Sequence, residues 1–296
     1  MGIFVATVLE TRDNSIEAKA ACPRLAPPEH EPMPTDREKL DYLNDIVRTR
    51  GYAHGSHRLL ANYDLDVLKV VNEITLANYI PQRSLSEIDK ELVLVGAFTA
   101  MRSSPVIIRA HVQKSVKAGA DLSQSLAAIE LTLLEAGRTA LDAGLAAWHE
   151  VAAAKGKTEV KTQTTSGATA TRQGKTVMSG TILDTCDPDV GAAVGRLSEV
   201  IDQRSRGLDD RTREIVKSVI LVCVRASDER VEAQMRRALA AGASAQDLLE
   251  AIEVIITPAG LPVFDAGLSV WARVTGAKPL EPELDAPHSR GPAAKK

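Results

Sequence analysis

A chain of 296 residues with 44% hydrophobic content can bury one large core or two ordinary ones without added staples. Its 36 basic and 39 acidic residues sum to −3 with no long run of one sign, which argues against a nucleic-acid or anionic-membrane partner and for a small-molecule or protein partner. Cys22, Cys186 and Cys223 form neither a CxxC nor a Cys/His cluster, so no disulfide framework and no metal site is expected, and a reducing cytoplasm fits. The opening MGIFVATVLETRDNS has no basic n-region, and no segment reaches the length of a membrane span.

Low aromatic content (3%) and periodic stretches of Ala, Leu and Val predict an all-α protein. In chain order, residues 1–36 carry five prolines from Pro23 to Pro34 and read as an irregular arm, with residues 1–48 as an N-terminal arm overall. His54 and His57 follow, three apart; without a third ligand to name, they are expected on the surface or in a lid. A helix is predicted near 66–79. The next should start at Ser86, whose hydroxyl can cap free N–H groups, and run to about Met101. Another should start at Ser104, with Pro105 where a missing N–H costs nothing, and end at Gly119. A third should begin at Asp121, with Gln124 completing a capping box, and run on to the region of Trp148.

Residues 153–178, rich in Thr, Gly and Lys, read as a flexible linker, and 276–296 as a disordered tail. Between them the same punctuation returns at an offset of 123: Asp209 for Ser86, Ser227 for Ser104, Gly242 for Gly119, Ser244 for Asp121 with Asp247 for Gln124. From Asp64 to Trp148 about 25 of 85 positions are identical to their counterparts with no insertion, ending in Asp142-Ala143-Gly144-Leu145 against Asp265-Ala266-Gly267-Leu268. Such a match means duplication. The expected organisation is a first repeat over 49–152 and a second over 179–275, packed as a pseudo-dimer.

A long apolar helix, a short break, a helix reading RAHVQKSVKAGAD and a helix carrying a Gly-x-Pro resemble the carboxymuconolactone decarboxylase and AhpD-like alkylhydroperoxidase superfamily. LDDRTREIVKSVILV, RRALAAGASAQDLLEAIEVI and AGLP carry the likeness in the second copy, so the chain resembles a tandem two-repeat member with an AhpD-like helical bundle. The redox branch of the family has a CxxC at the start of the second helix and a histidine four residues on. Here Ser104 and Ile107 occupy the cysteine positions and His111 the histidine; in the second copy Ser227, Arg230 and Gln234 do. Serine cannot replace a peroxide-reactive thiolate or a resolving thiol. The resemblance therefore implies a lyase or isomerase of the decarboxylase kind, cofactor-free, acting on a small carboxylated substrate of the sort met in aromatic catabolism.

In that reading His111 is the acid/base group and Glu91, 20 residues earlier, its partner. Arg102 and Arg225, just ahead of the second helix in each copy, are expected to anchor a carboxylate, with Ser104 beside them. Two alternatives stand: a divergent alkylhydroperoxidase-like oxidoreductase using another thiol, and a non-catalytic binding or scaffold protein. The family's ring-of-dimers habit implies a homotrimer, and the lack of a counterpart to His111 implies one site per chain.

Overall fold

The computed structural model describes residues 34–51, 53–156, 186–204 and 206–278, and every described regular element is an α-helix. Most of the expected arm, linker and tail lies outside the described residues. The arm's last stretch is helical, however: α1, Asp36–Arg50, is closed by a capping box between Thr35 and Glu38 and stopped by Gly51 at φ 80°. The prolines that suggested an irregular arm all precede it. The helices α2 (Gly55–Tyr63) and α3 (Leu65–Asn78) pack with α1 around a small core of Ile46, Ala61, Leu65 and Leu68.

The main body contains two sets of helices. The first is α4 (Glu87–Ala100), α5 (Pro105–Ala118), α6 (Leu122–Glu130), α7 (Thr132–Ala136) and α8 (Arg138–Ala154). The second is α9 (Pro188–Gln203), α10 (Asp210–Cys223), α11 (Asp228–Ala240), α12 (Ala245–Glu253), α13 (Ile256–Ala259) and α14 (Leu261–Thr275). Shifted by 123 residues, the bounds of α4 and α6 fall on those of α10 and α12. The expected caps are in place: Ser86 and Asp209 accept from the third residue of their helices, and Asp121 with Gln124 and Ser244 with Asp247 form capping boxes.

The expected unbroken third helix is instead three pieces in each copy. Gly137 (φ 81°) and Gly260 (φ 83°) hold a backbone conformation that only glycine adopts cheaply, and the chain turns there before α8 and α14 begin. α8 then runs to Ala154, slightly past the predicted start of the linker.

The two sets pack as a pseudo-dimer through α4 against α10 over one shared core. Their contact is reciprocal, as a two-fold axis requires. Arg83 pairs with Glu253, and their counterparts Arg206 and Glu130 pair in turn, with Arg206 Nε and Nη2 at 2.7 and 2.8 Å from the carboxylate. Asp89 accepts a 2.8 Å hydrogen bond from Thr212, its own counterpart, which places that position on the axis.

Candidate active site

His111 and Glu91 meet in the interior of the first set. Ser86 caps α4 and sets the register that turns Glu91 into the protein, where it is fully buried. Ile108 and Val112 anchor the same face of α5 and carry His111 inward with them. His111 Nδ1 lies 2.7 Å from Glu91 Oε2, and Tyr79, the residue closing α3, donates its hydroxyl proton to Glu91 Oε1. Both carboxylate oxygens are thereby occupied. With Glu91 ionised, Nδ1 carries the ring proton and Nε2 holds the free lone pair. Among the described residues nothing hydrogen-bonds Nε2, and 6% of the residue remains exposed. The phenyl ring of Phe98 stacks on the imidazole at 4.8 Å, fixing its plane.

The surroundings are cationic. Lys114, one helical turn beyond His111, donates to the Tyr79 hydroxyl at 3.2 Å, with its ammonium 5.1 Å from the ring centroid. His54 and His57 stand across from it on α2, their ring centroids 5.3 Å apart, with His57 Nδ1 accepting the His54 backbone N–H at 3.1 Å. Burial, and then the charges of His57, Lys114, His111 and Arg50, push His54 down to about 4. His57 is also lowered to about 4, by burial and then by Arg50 and Lys114. Both rings are therefore neutral at pH 7. The surface role expected for this pair is corrected: His57 is buried, and His54 shares the electrostatic field of His111.

The residues expected to hold a carboxylate are elsewhere. Arg102 and Arg225 both adopt φ 54°, each the left-handed residue after a helix end. The following N–H groups, Ser103 to Phe98 O and Ala226 to Leu221 O, close the two helices in Schellman fashion at 3.0 Å. The Arg102 guanidinium donates to Ala136 O at 2.7 Å. Ser104 caps α5 by backbone geometry without a side-chain hydrogen bond. It lies seven residues, about 10 Å of helix rise, from His111. The structure thus brings Glu91 and His111 together and leaves Arg102, Ser104 and Arg225 outside their hydrogen-bonded network. Sequence reading missed Tyr79 and Lys114. The spacing of Lys114 from His111, one turn along the same helix, was the available signal.

The second copy shows what the same positions do without the histidine. Gln234 Nε2 donates to Glu214 Oε2 at 2.7 Å, and Arg213 Nε and Nη2 grip Oε1 at 3.1 and 3.0 Å. Arg213 corresponds to Lys90. In the first copy Lys90 turns the other way, pairing at 2.8 Å with Glu250 across the pseudo-axis and donating to the carbonyls of Tyr79 and Pro81. Among the described residues, only the first copy combines a buried carboxylate with a titratable ring at these positions. Among the described residues no group of three or more His, Cys, Asp or Glu could hold a metal ion, and no helix is long and apolar enough to cross a membrane.

Comparison with known proteins agrees with this fold. Residues 188–273 match the model of the carboxymuconolactone decarboxylase family. No curated protein sequence matches the chain. A crystal structure of a candidate gamma-carboxymuconolactone decarboxylase subunit from Burkholderia xenovorans LB400 superposes with a TM-score of 0.54 at 17% identity, covering 83% of this chain and 98% of that one. The second copy thus resembles the carboxymuconolactone decarboxylase family, and most of the chain shares its helical fold with that solved subunit.

Proposed function

We propose that the protein is a cofactor-free lyase of the carboxymuconolactone decarboxylase kind, acting on a small carboxylated substrate with His111 as its acid/base residue. One observation carries the reading: a buried His111–Glu91 pair that leaves Nε2 open, where the second copy has only an amide locked to an ion-paired carboxylate. When the substrate carboxylate departs as CO2, the electrons of the broken C–C bond remain as an enolate. Having first taken up a proton at Nε2 from solvent, the His111 ring delivers it to carbon, and Glu91 offsets the charge that the doubly protonated ring carries in between. The neutral ring regains its proton from water. Tyr79 holds the other Glu91 oxygen, so the carboxylate keeps one orientation throughout.

His111→Gln is the decisive variant, because Gln234 demonstrates that glutamine fits this position against a glutamate. Release of CO2 from small unsaturated lactone acids is expected to fall about 10²- to 10⁴-fold in it, with the fold unchanged by circular dichroism. Undiminished turnover would remove the assignment, and the absence of any turnover in the parent protein would favour a binding or scaffold role.

The hydroperoxidase alternative lacks a suitable thiol within the main core: burial pushes Cys223 up to about 12, far from a reactive thiolate. The association of chains into a homotrimer belongs to the same proposal. It is supported by apolar side chains left exposed on α9, among them Val190, Val194 and Leu197, and sedimentation as a monomer would refute it.

A further inference from the structure

We propose that the α9 helix of one chain packs against the α3 helix of a second copy, and that this head-to-tail contact builds the assembly. It rests on the reading of the chain as a homotrimer and assigns the surface that makes one. α9 has little within its own chain to hold it. It is 16 residues long, carries Gly191 and Gly195 in its interior, and among its described residues only Gly191 and Ile201 are buried. A helix of that length is marginal in water unless an apolar face is packed. The face available is a stripe of Val190, Val194 and Leu197, which are 46, 42 and 37% exposed, and it continues through Ile201 into the main core.

The first copy presents the same stripe. Val67, Val71 and Ile74 on α3 are the counterparts of Val190, Val194 and Leu197, and Val67 is also 46% exposed, with Val70 beside it at 55%. The helices α1 and α2 lie on another face of α3, where Leu65 and Leu68 are buried. Those two positions are Pro188 and Gly191 in α9, which therefore lacks the face that α1 and α2 use yet keeps the stripe. One exposed stripe on each copy calls for an occupant that can meet both at once. A second copy of the chain does so, since its α3 fits α9 and its α9 fits α3, helices of 14 and 16 residues that are about 21 and 24 Å long. Residues 157–176, which lead towards α9, offer one large apolar side chain, Val160. Because the contact joins two different surfaces, it repeats from chain to chain and closes into a ring.

Sedimentation of the full-length chain tests this with two double variants, Val190→Asp/Val194→Glu on α9 and Val67→Asp/Val70→Glu on α3. All the replaced side chains are exposed, and both aspartates fall in the first turn of a helix, where the dipole favours negative charge, so the circular dichroism should be unchanged. The parent should sediment as a trimer and each variant as a monomer. An equal mixture of the variants should sediment heavier than either alone, as pairs, because the intact α3 of one meets the intact α9 of the other. Should either variant lose helicity, Val194→Ser and Val70→Ser take their place, and each should raise the dissociation constant of the assembly about ten-fold or more. A monomeric parent, a variant that keeps the parent's mass, a serine substitution without effect, or a mixture no heavier than its components would each overturn the proposal. Dissociation by the α9 variant alone would mean that α9 meets α9. A trimer that neither variant dissociates would fail this surface alone, and an assembly of another number of chains with the same mixing pattern would fail the trimer alone.

Discussion

At the scale of single residues, the histidines of α2 make the fold sensitive to mild acid. In the unfolded chain His54 and His57 take up protons as the pH falls through about 6.5. In the folded protein burial, and then neighbouring positive charge, holds each near 4. Between those values the unfolded state binds more protons, so stability rises with pH across this window and is progressively lost on acidification from about 6.5 to 4. Denaturant midpoints measured from pH 7.5 to 4 should fall, and His54→Gln/His57→Gln should flatten the fall. An equal slope in the double variant would mean that the pair does not control it. The same residues show the limit of sequence reading. His111 and Glu91 could be named because a motif and a recurring spacing point to them. Lys114 had only its one-turn spacing from His111 to mark it, and Tyr79 joins them through a contact of the end of α3 with α4 and α5, which has no local pattern in the chain.

At the scale of elements, the repeated Asp-Ala-Gly-Leu with its tryptophan has a packing explanation. A β-carbon on Gly144 would lie 2.6 Å from Ile129 Cγ2 and 2.7 Å from Thr99 Cγ2, where α8 crosses α6 and α4. On Gly267 it would meet Val222 and Ile252 at 3.0 and 3.1 Å. Four residues on, Trp148 and Trp271 donate their indole N–H to Leu122 O and Ala245 O, both at 2.8 Å, pinning each last helix to the start of the equivalent short helix. Gly144→Ala should therefore destabilise by about 1–3 kcal/mol, and Gly267→Ala by less, since its neighbours need to give way less. Urea unfolding of the two variants checks the order; equal midpoints would contradict it. Helix starts were legible because Ser86, Asp121, Asp209 and Ser244 satisfy backbone N–H groups locally. The breaks at Gly137 and Gly260 were missed because the surrounding apolar periodicity continues through them, and a glycine in such a run declares its positive φ only once the helices pack.

At the scale of the whole molecule, the two matching sets of helices share an interface that is reciprocal at Arg83–Glu253 and Arg206–Glu130 but asymmetric at Lys90, and that asymmetry bears on the site. Arg213 folds onto its neighbour Glu214, whereas Lys90, 2% exposed, is drawn to the fully buried Glu250 of the other copy, leaving Glu91 to Tyr79 and His111. Burial alone would raise the Glu250 carboxyl, but Lys90 and the N–H groups of Leu85 and Ser84 outweigh it and hold the group below its ordinary range. Stability from this pairing is present above pH 4.5 and is lost as the pH falls through the lowered folded value. Lys90→Met takes the ammonium from a buried carboxylate and should cost about 3–5 kcal/mol at pH 7, whereas Lys90→Met/Glu250→Gln should recover much of that loss, since the amide oxygen still accepts the Ser84 and Leu85 N–H groups without a charge to compensate. Chemical unfolding at pH 7 measures both. The double variant, with no cation returned to Glu91, should retain the His111–Glu91 pair and any turnover that depends on it. A double variant as unstable as Lys90→Met would show that the ion pair itself, not the avoidance of an unpaired charge, holds the two copies together.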